Sequence, residues 1–229
     1  MGQEPSTYGC GITGLNNRHT KTYCVTDKPR AYIYTHKDLK TWPLDHLCSR
    51  DVASSLLDFN KEGFSKILLC SIYWDGRIDT FPSEAIEAMR LANKKGYIFL
   101  AGGDFNARNT IYGSNTTDTR GKIFEDILIK NNLLTLNIGT APTCTAGNQG
   151  SVIDVTAISS GMEDLISDWR VSKLQSESDH KIIQFELSVP EVERKMRTVM
   201  RTQISQLSKF KLKTMRKKSF VTVIKVIQM

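Results

Sequence analysis

The sequence is short of cysteine pairs, of long apolar runs and of any leader pattern, and each shortage excludes something. Its five cysteines (Cys10, Cys24, Cys48, Cys70 and Cys144) are scattered, odd in number and without a C-x-x-C pair, which argues against a disulfide framework and against a zinc site. No apolar run approaches the ~20 residues that a membrane helix needs, so no membrane partner is expected. The start, MGQEPSTYGCG, lacks the charged-then-apolar order of a secretion signal, although M-G-x-x-x-S formally matches a myristoylation site. Together these absences predict an intracellular protein with free thiols.

What is present is a globular composition, 40% apolar over 229 residues, enough for one large domain or one domain with an appendage. The net charge of +7 is unevenly placed. From Glu191 to the end there are 11 Lys/Arg and 2 Asp/Glu, a balance of +9, whereas residues 1–190 hold 20 basic and 22 acidic side chains. A near-neutral body with a basic tail suits contact with nucleic acid or an anionic surface, or else a solvated extension. Pro190 marks the boundary: a domain over 1–190, then a tail over 191–229 that is helical or disordered.

Periodicity predicts strands at 30–36 and 50–59 joined by a Trp42-Pro43 turn, and another at 65–74, where SKILLCSIYW is apolar almost throughout. Such a run is the mark of a strand covered on both faces. PSEAIEAMRLANKKG (82–96) reads as a helix with Ser83 as N-cap and Gly96 past its end. A strand at 97–102, a helix at 121–133 and strands at 151–159, 168–174 and 181–189 follow. Alternation early and strands late predict an α/β fold of the α+β sandwich kind, mixed sheets with helices outside.

The stretch FLAGGDFNARNT (99–110) then raises a question, because it ends a strand by setting Asp104 and Asn106 two positions apart. Gly-Gly-Asp is ordinary turn chemistry. Alternatively, residues i and i+2 of an extended segment share a face and meet one substrate. Four more stretches put polar groups at or beside strands: Glu4 in QEP, Tyr73 in SIYWDG, Asp154 in SVID, and Ser178, Asp179 and His180 in SDH. Singly, each has a plain explanation: a solvated terminus, a core aromatic with a wet hydroxyl, a paired carboxylate, a capped strand start. Together they supply carboxylates for a hard cation, an Asp–Asn pair, and a histidine with an aspartate to orient it. Phosphodiester hydrolysis needs such a set.

LAGGDFNA, SVID and SDH, in that order, resemble the endonuclease/exonuclease/phosphatase superfamily with its DNase I-like fold. More narrowly, GGDFNARNTIYGSNTTDTRGKIFEDIL, LNIGTAPT and SVIDVT resemble the endonuclease domain of jockey-like non-LTR retrotransposons, over roughly residues 3–188. The resemblance implies a four-layer fold of two packed mixed sheets flanked by helices. It implies Glu4 and Asp179 as ligands of magnesium, or manganese. Tyr73 contacts the scissile phosphate, Asp104 activates water, and Asn106 holds the phosphate or transition state. Asp154 orients His180. Thr143 contacts phosphate, and Ser178 steadies the turn at the substrate side.

Relative to that pattern the first strand and its asparagine are missing, so an N-terminally truncated domain is expected. The expected activity is magnesium-dependent nicking of DNA by a monomer in the nucleus, ahead of reverse transcription. The alternatives are an impaired remnant or passive nucleic-acid binder, and a small-molecule or lipid phosphatase of the same superfamily.

Overall fold

The computed structural model describes residues 29–60, 63–146, 150–174, 176 and 178–188, and the strand backbone at 7–8, 11–12, 20–23 and 219–222. In chain order the elements are β1 Thr7–Tyr8, β2 Gly11–Ile12, β3 Thr20–Tyr23, β4 Ile33–His36, β5 Lys40–Pro43, β6 Val52–Asp58 and β7 Ile67–Tyr73. There follow α1 Ser83–Lys95, β8 Ile98–Asp104, α2 Thr119–Lys130, β9 Leu133–Thr135, β10 Asp154–Ser159, β11 Ile166–Val171, β12 Ile183–Ser188 and β13 Ser219–Thr222.

Six strands form one mixed sheet in the order β5-β6-β7-β8-β10-β9, in which only β7 and β8 run parallel. The apolar run of β7 is explained by its two faces. Leu68, Cys70 and Ile72 pack with Ala85, Met89 and Phe124 of the helices. Ile67 and Leu69, pointing the other way, pack with Trp169, Phe185 and Leu187 of the second sheet, order β11-β12-β13. Among the described residues the layers are therefore helices, sheet, sheet, three of the four expected. A cross-sheet hydrogen bond from Trp169 Nε1 to Thr156 Oγ1 at 3.1 Å ties the two sheets together.

α1 buries Ala85, Ala88, Met89 and Ala92, and closes on Gly96 in the left-handed region, φ 64°. Its N-cap is Pro82 without a side-chain bond, not Ser83, whose hydroxyl instead donates to Glu84. α2 starts earlier than its apolar pattern suggests, because Asp118 caps it by accepting from Gly121 N at 2.7 Å.

Two further expectations are corrected. Trp42 and Pro43 are not a turn but the end of edge strand β5, where a missing N–H is tolerated. Within the tail, Ser219–Thr222 is neither helical nor disordered: it pairs with β12, Phe185 opposite Thr222. The rest of the tail, the N-terminal stretch carrying Glu4, and the side chains of 219–222 lie outside the described residues. Among the described residues, no helix is long and apolar enough to cross a membrane.

Candidate active site

Strand register builds the site. Tyr73 pairs with Asp104 across β7–β8, and Asp104 pairs with Asp154 across β8–β10. Three polar side chains thus stand side by side on one face, with strands ~4.8 Å apart. Four residues back along each strand, at Leu69, Leu100 and Ile158, that face becomes the core between the two sheets. Close approach of β7 to β8 requires Gly103, since a Cβ there would lie 1.8 Å from the Ile72 carbonyl oxygen.

Asp104 and Asn106 do meet, but not as an extended pair. β8 ends at Asp104, Phe105 turns into the helix-side core against Phe124 at 4.3 Å, and Asn106 adopts φ 45°. That turn swings the Asn106 amide back, so Nδ2 donates to Asp104 Oδ2 at 2.8 Å and to the Trp74 carbonyl at 3.1 Å. Its main-chain N–H donates to Asp104 Oδ1 at 2.8 Å.

Asp104 is 1% exposed. Burial, then repulsion from Asp154, pushes its carboxyl up to about 7. That is the range in which a carboxylate works as a base at neutral pH. His180, delivered by the turn before β12, places Nδ1 at 2.9 and 3.0 Å from the two Asp154 oxygens. A carboxylate can only accept, so Nδ1 carries the proton. Burial works against a charged imidazole here, yet the hydrogen bonds to Asp154 and Cys144 and the charges of Asp154 and Asp104 carry it up to about 10.

Asp154 is fixed at its own main chain. Thr143 Oγ1 accepts from Asp154 N at 3.0 Å and Ile153 N at 3.1 Å, and Asn137 Nδ2 donates to the Asp154 carbonyl at 2.9 Å. Thr143 is fully buried. Its hydroxyl, expected to contact phosphate, lies beneath the site and holds the strand. Ser178 Oγ accepts from His180 N at 3.1 Å, which braces the turn. The Asp179 carbonyl accepts from Thr145 N at 2.8 Å, and its side chain is exposed beside the histidine.

Sequence reasoning missed a second set beside Tyr73. The Arg30 guanidinium lies 4.4 Å from the Tyr73 ring centroid. It forks onto Asp51 at 2.5 and 2.6 Å and reaches Asp75 at 2.7 Å. Exposed Arg77 joins the buried Asp75 at 2.7 Å, and the two arginines hold that carboxyl far below the usual range. Burial and the charges of Asp104 and Asp75 raise the Tyr73 phenol, so it remains a hydrogen-bond donor at neutral pH. These partners come from separate parts of the chain, and no local motif marks them.

Taken together, a poised carboxylate, a charged imidazole, an amide and a phenol converge where the sheets end. Such a group can deprotonate water and stabilise negative charge. Known proteins share this fold. The endonuclease domain of TRAS1, a telomere-specific non-LTR retrotransposon, is similar in structure at TM-score 0.64 and 24% identity, covering 75% of this chain and 81% of that one. The AP endonuclease LMAP from Leishmania major is similar at TM-score 0.52 and 15% identity, covering 65% and 62%. Both likenesses carry the fold, which is DNase I-like. No curated protein matches the chain. The sequence profile described as endonuclease-reverse transcriptase matches residues 67–184, just over half of the chain. With that match, over a span that holds Tyr73, Asp104, Asp154 and His180, the chain belongs to the endonuclease-reverse transcriptase family, within the endonuclease/exonuclease/phosphatase superfamily.

Proposed function

We propose that this domain is a metal-dependent endonuclease that nicks a DNA phosphodiester and leaves a 3′-hydroxyl from which reverse transcription starts. The observation that carries the reading is the side-by-side placement of Tyr73, Asp104 and Asp154, with His180 locked onto Asp154 at 2.9 Å. Asp104, held near neutrality by burial, takes the proton of the attacking water. Asn106, whose amide gives its two hydrogens to the Asp104 carboxylate and the Trp74 carbonyl, holds that carboxylate in place beside the water. The protonated His180 faces the negative charge that develops in the transition state, and Asp154 keeps it protonated. Tyr73 donates its hydroxyl from the neighbouring strand.

The donor set suits a hard cation. Asp179 offers an exposed carboxylate, Glu4 lies outside the described residues, and among the described residues no three His, Cys, Asp or Glu side chains surround one point. Magnesium, which keeps several waters and takes only one or two carboxylates, fits such a set. Asp179 and Glu4 would hold it, and once bound it would neutralise charge on the phosphate. The test is conversion of supercoiled plasmid to the open circle with magnesium, with EDTA, and by the Asp104→Ala variant. Nicking is expected only in the first case. Equal nicking by the variant would sink the assignment, and hydrolysis of phosphorylated lipids in place of DNA would move the chain to the phosphatase branch.

A further inference from the structure

Arg120, in the first turn of α2, faces the loops that follow β7 and β8. Its guanidinium lies 3.7 Å from the Trp74 ring centroid. Every nitrogen of the group donates to a main-chain carbonyl: Nε to Asn106 at 2.8 Å, Nη1 to Ile78 at 2.6 Å, and Nη2 to Trp74 and Phe105, each at 3.2 Å. Surface cations ordinarily meet carboxylates. A rigid planar fork with each of its three nitrogens on carbonyls of two loops acts as a bracket between them.

The bracket closes around Asn106. That residue holds φ 45°, a costly conformation outside glycine that surroundings must over-determine. Its carbonyl accepts from Arg120 Nε, while its amide donates to the Trp74 carbonyl at 3.1 Å and to Asp104 at 2.8 Å. The Trp74 carbonyl is therefore shared, guanidinium on one side and Asn106 amide on the other. The chain Arg120, Trp74, Asn106, Asp104 is continuous.

We infer that Arg120 is a positioning residue, which sets the Asn106 amide against Asp104 by gripping both loops. It does not itself touch substrate, and the inference rests on the nuclease reading of the site. The underlying core has its own support: Phe105 packs tilted on Phe124 with ring centroids 4.3 Å apart and Phe81 stacks on Phe124 at 5.9 Å, without Arg120.

The test uses plasmid nicking at saturating DNA by Arg120→Gln, Arg120→Lys, Asn106→Ala and the two double variants. Arg120→Gln is expected to lower kcat on the order of 10²-fold, the penalty of a small misplacement of reacting groups, with little change in KM. Arg120→Lys should not rescue it, since one ammonium cannot span four carbonyls. In the Asn106→Ala background, either change should cost less than ~2-fold further, because coupled residues are not additive. Amide exchange followed by NMR supplies a readout free of turnover. The Asn106 N–H, which donates to Asp104 at 2.8 Å, should exchange faster in Arg120→Gln, while Leu100 N–H in β8 stays unchanged. Equal losses in both backgrounds, a fully active Arg120→Lys, or an unchanged Asn106 N–H would each overturn the inference. If the wild type nicked nothing, the nuclease reading would fall, and the exchange result alone would decide the role of Arg120.

Discussion

Asp154→Asn tests the electrical centre of the site with almost no change of shape. In the wild type the His180 Nδ1–H meets both carboxylate oxygens at 2.9 and 3.0 Å, with the two side chains 13% and 4% exposed. Breaking a buried charged pair by removing one partner costs ~3–5 kcal/mol. At ~1.4 kcal/mol per unit, that lowers the imidazole midpoint by ~2–4 units. It should fall from about 10 to between ~6 and ~8. The sign for stability follows. His180 has a folded value above its ordinary 6.5, so its contribution is complete below pH 6.5 and is lost as pH rises toward about 10. Asp154→Asn should lose stability most at and below neutral pH and show a flatter decline above it. Nicking should drop on the order of 10²-fold or more. NMR titration of the imidazole gives the midpoint, and urea unfolding at pH 6 and pH 9 gives the slope. An unchanged midpoint in a folded variant would show that Asp154 does not hold the proton, and the reasoning would fail.

Other outcomes are expected from the same geometry. The nicking rate should climb with pH until about 7 and then level, because Asp104 must be ionised and burial with Asp154 raises its carboxyl to that range; a flat profile from pH 5 would remove Asp104 as the base. Chelation by EDTA should abolish nicking, and zinc should not restore it; full activity in EDTA would refute the metal reading. Replacing Lys211, Lys213, Lys217 and Lys218 with Gln should weaken DNA affinity and flatten its dependence on salt, while kcat at saturating DNA holds; equal salt slopes would show that the tail never meets the backbone. Gly103→Ala should cost ~3 kcal/mol in urea unfolding, since its Cβ would collide with the Ile72 carbonyl at 1.8 Å; a loss below ~0.5 kcal/mol would mean that β7 and β8 part freely.

Much of this is legible in the sequence, for a definite reason. A strand covered on both faces must be apolar at every position, so β7 and β8 announce themselves, and polar groups at their ends stand out against that background. Helix boundaries were less legible, because caps depend on a single side chain: Asp118 does what Ser83 was expected to do. Trp42-Pro43 has the composition of a turn, and only pairing with Leu56 and Ser55 makes it an edge strand. Thr143 sits in a motif that resembles a phosphate contact, yet burial turns its hydroxyl to the backbone of Ile153 and Asp154. The supports of the site were the least legible. Arg30, Asp51 and Asp75 lie 21 and 45 positions apart in pairs, so only the folded sheet brings them to Tyr73.

That distribution follows from how the two kinds of residue are constrained. Tyr73, Asp104 and Asp154 occupy matched rungs of adjacent strands, so a shift of one residue in either pairing would turn a side chain to the opposite face and scatter the group. Register is held in turn by the apolar faces below, where Ile67, Leu100 and Ile158 are each fully buried. The chemistry is thus set by the same alternation that builds the core, and the same face turns from apolar at Leu69, Leu100 and Ile158 to polar toward the strand ends. Residues such as Arg120, Asn137 and Thr143 need satisfy only hydrogen bonds to backbone, which a side chain can reach from many points in the chain. Their positions are therefore weakly encoded by local pattern. The proposed catalytic group reads from the strands, and its supports read only from the fold.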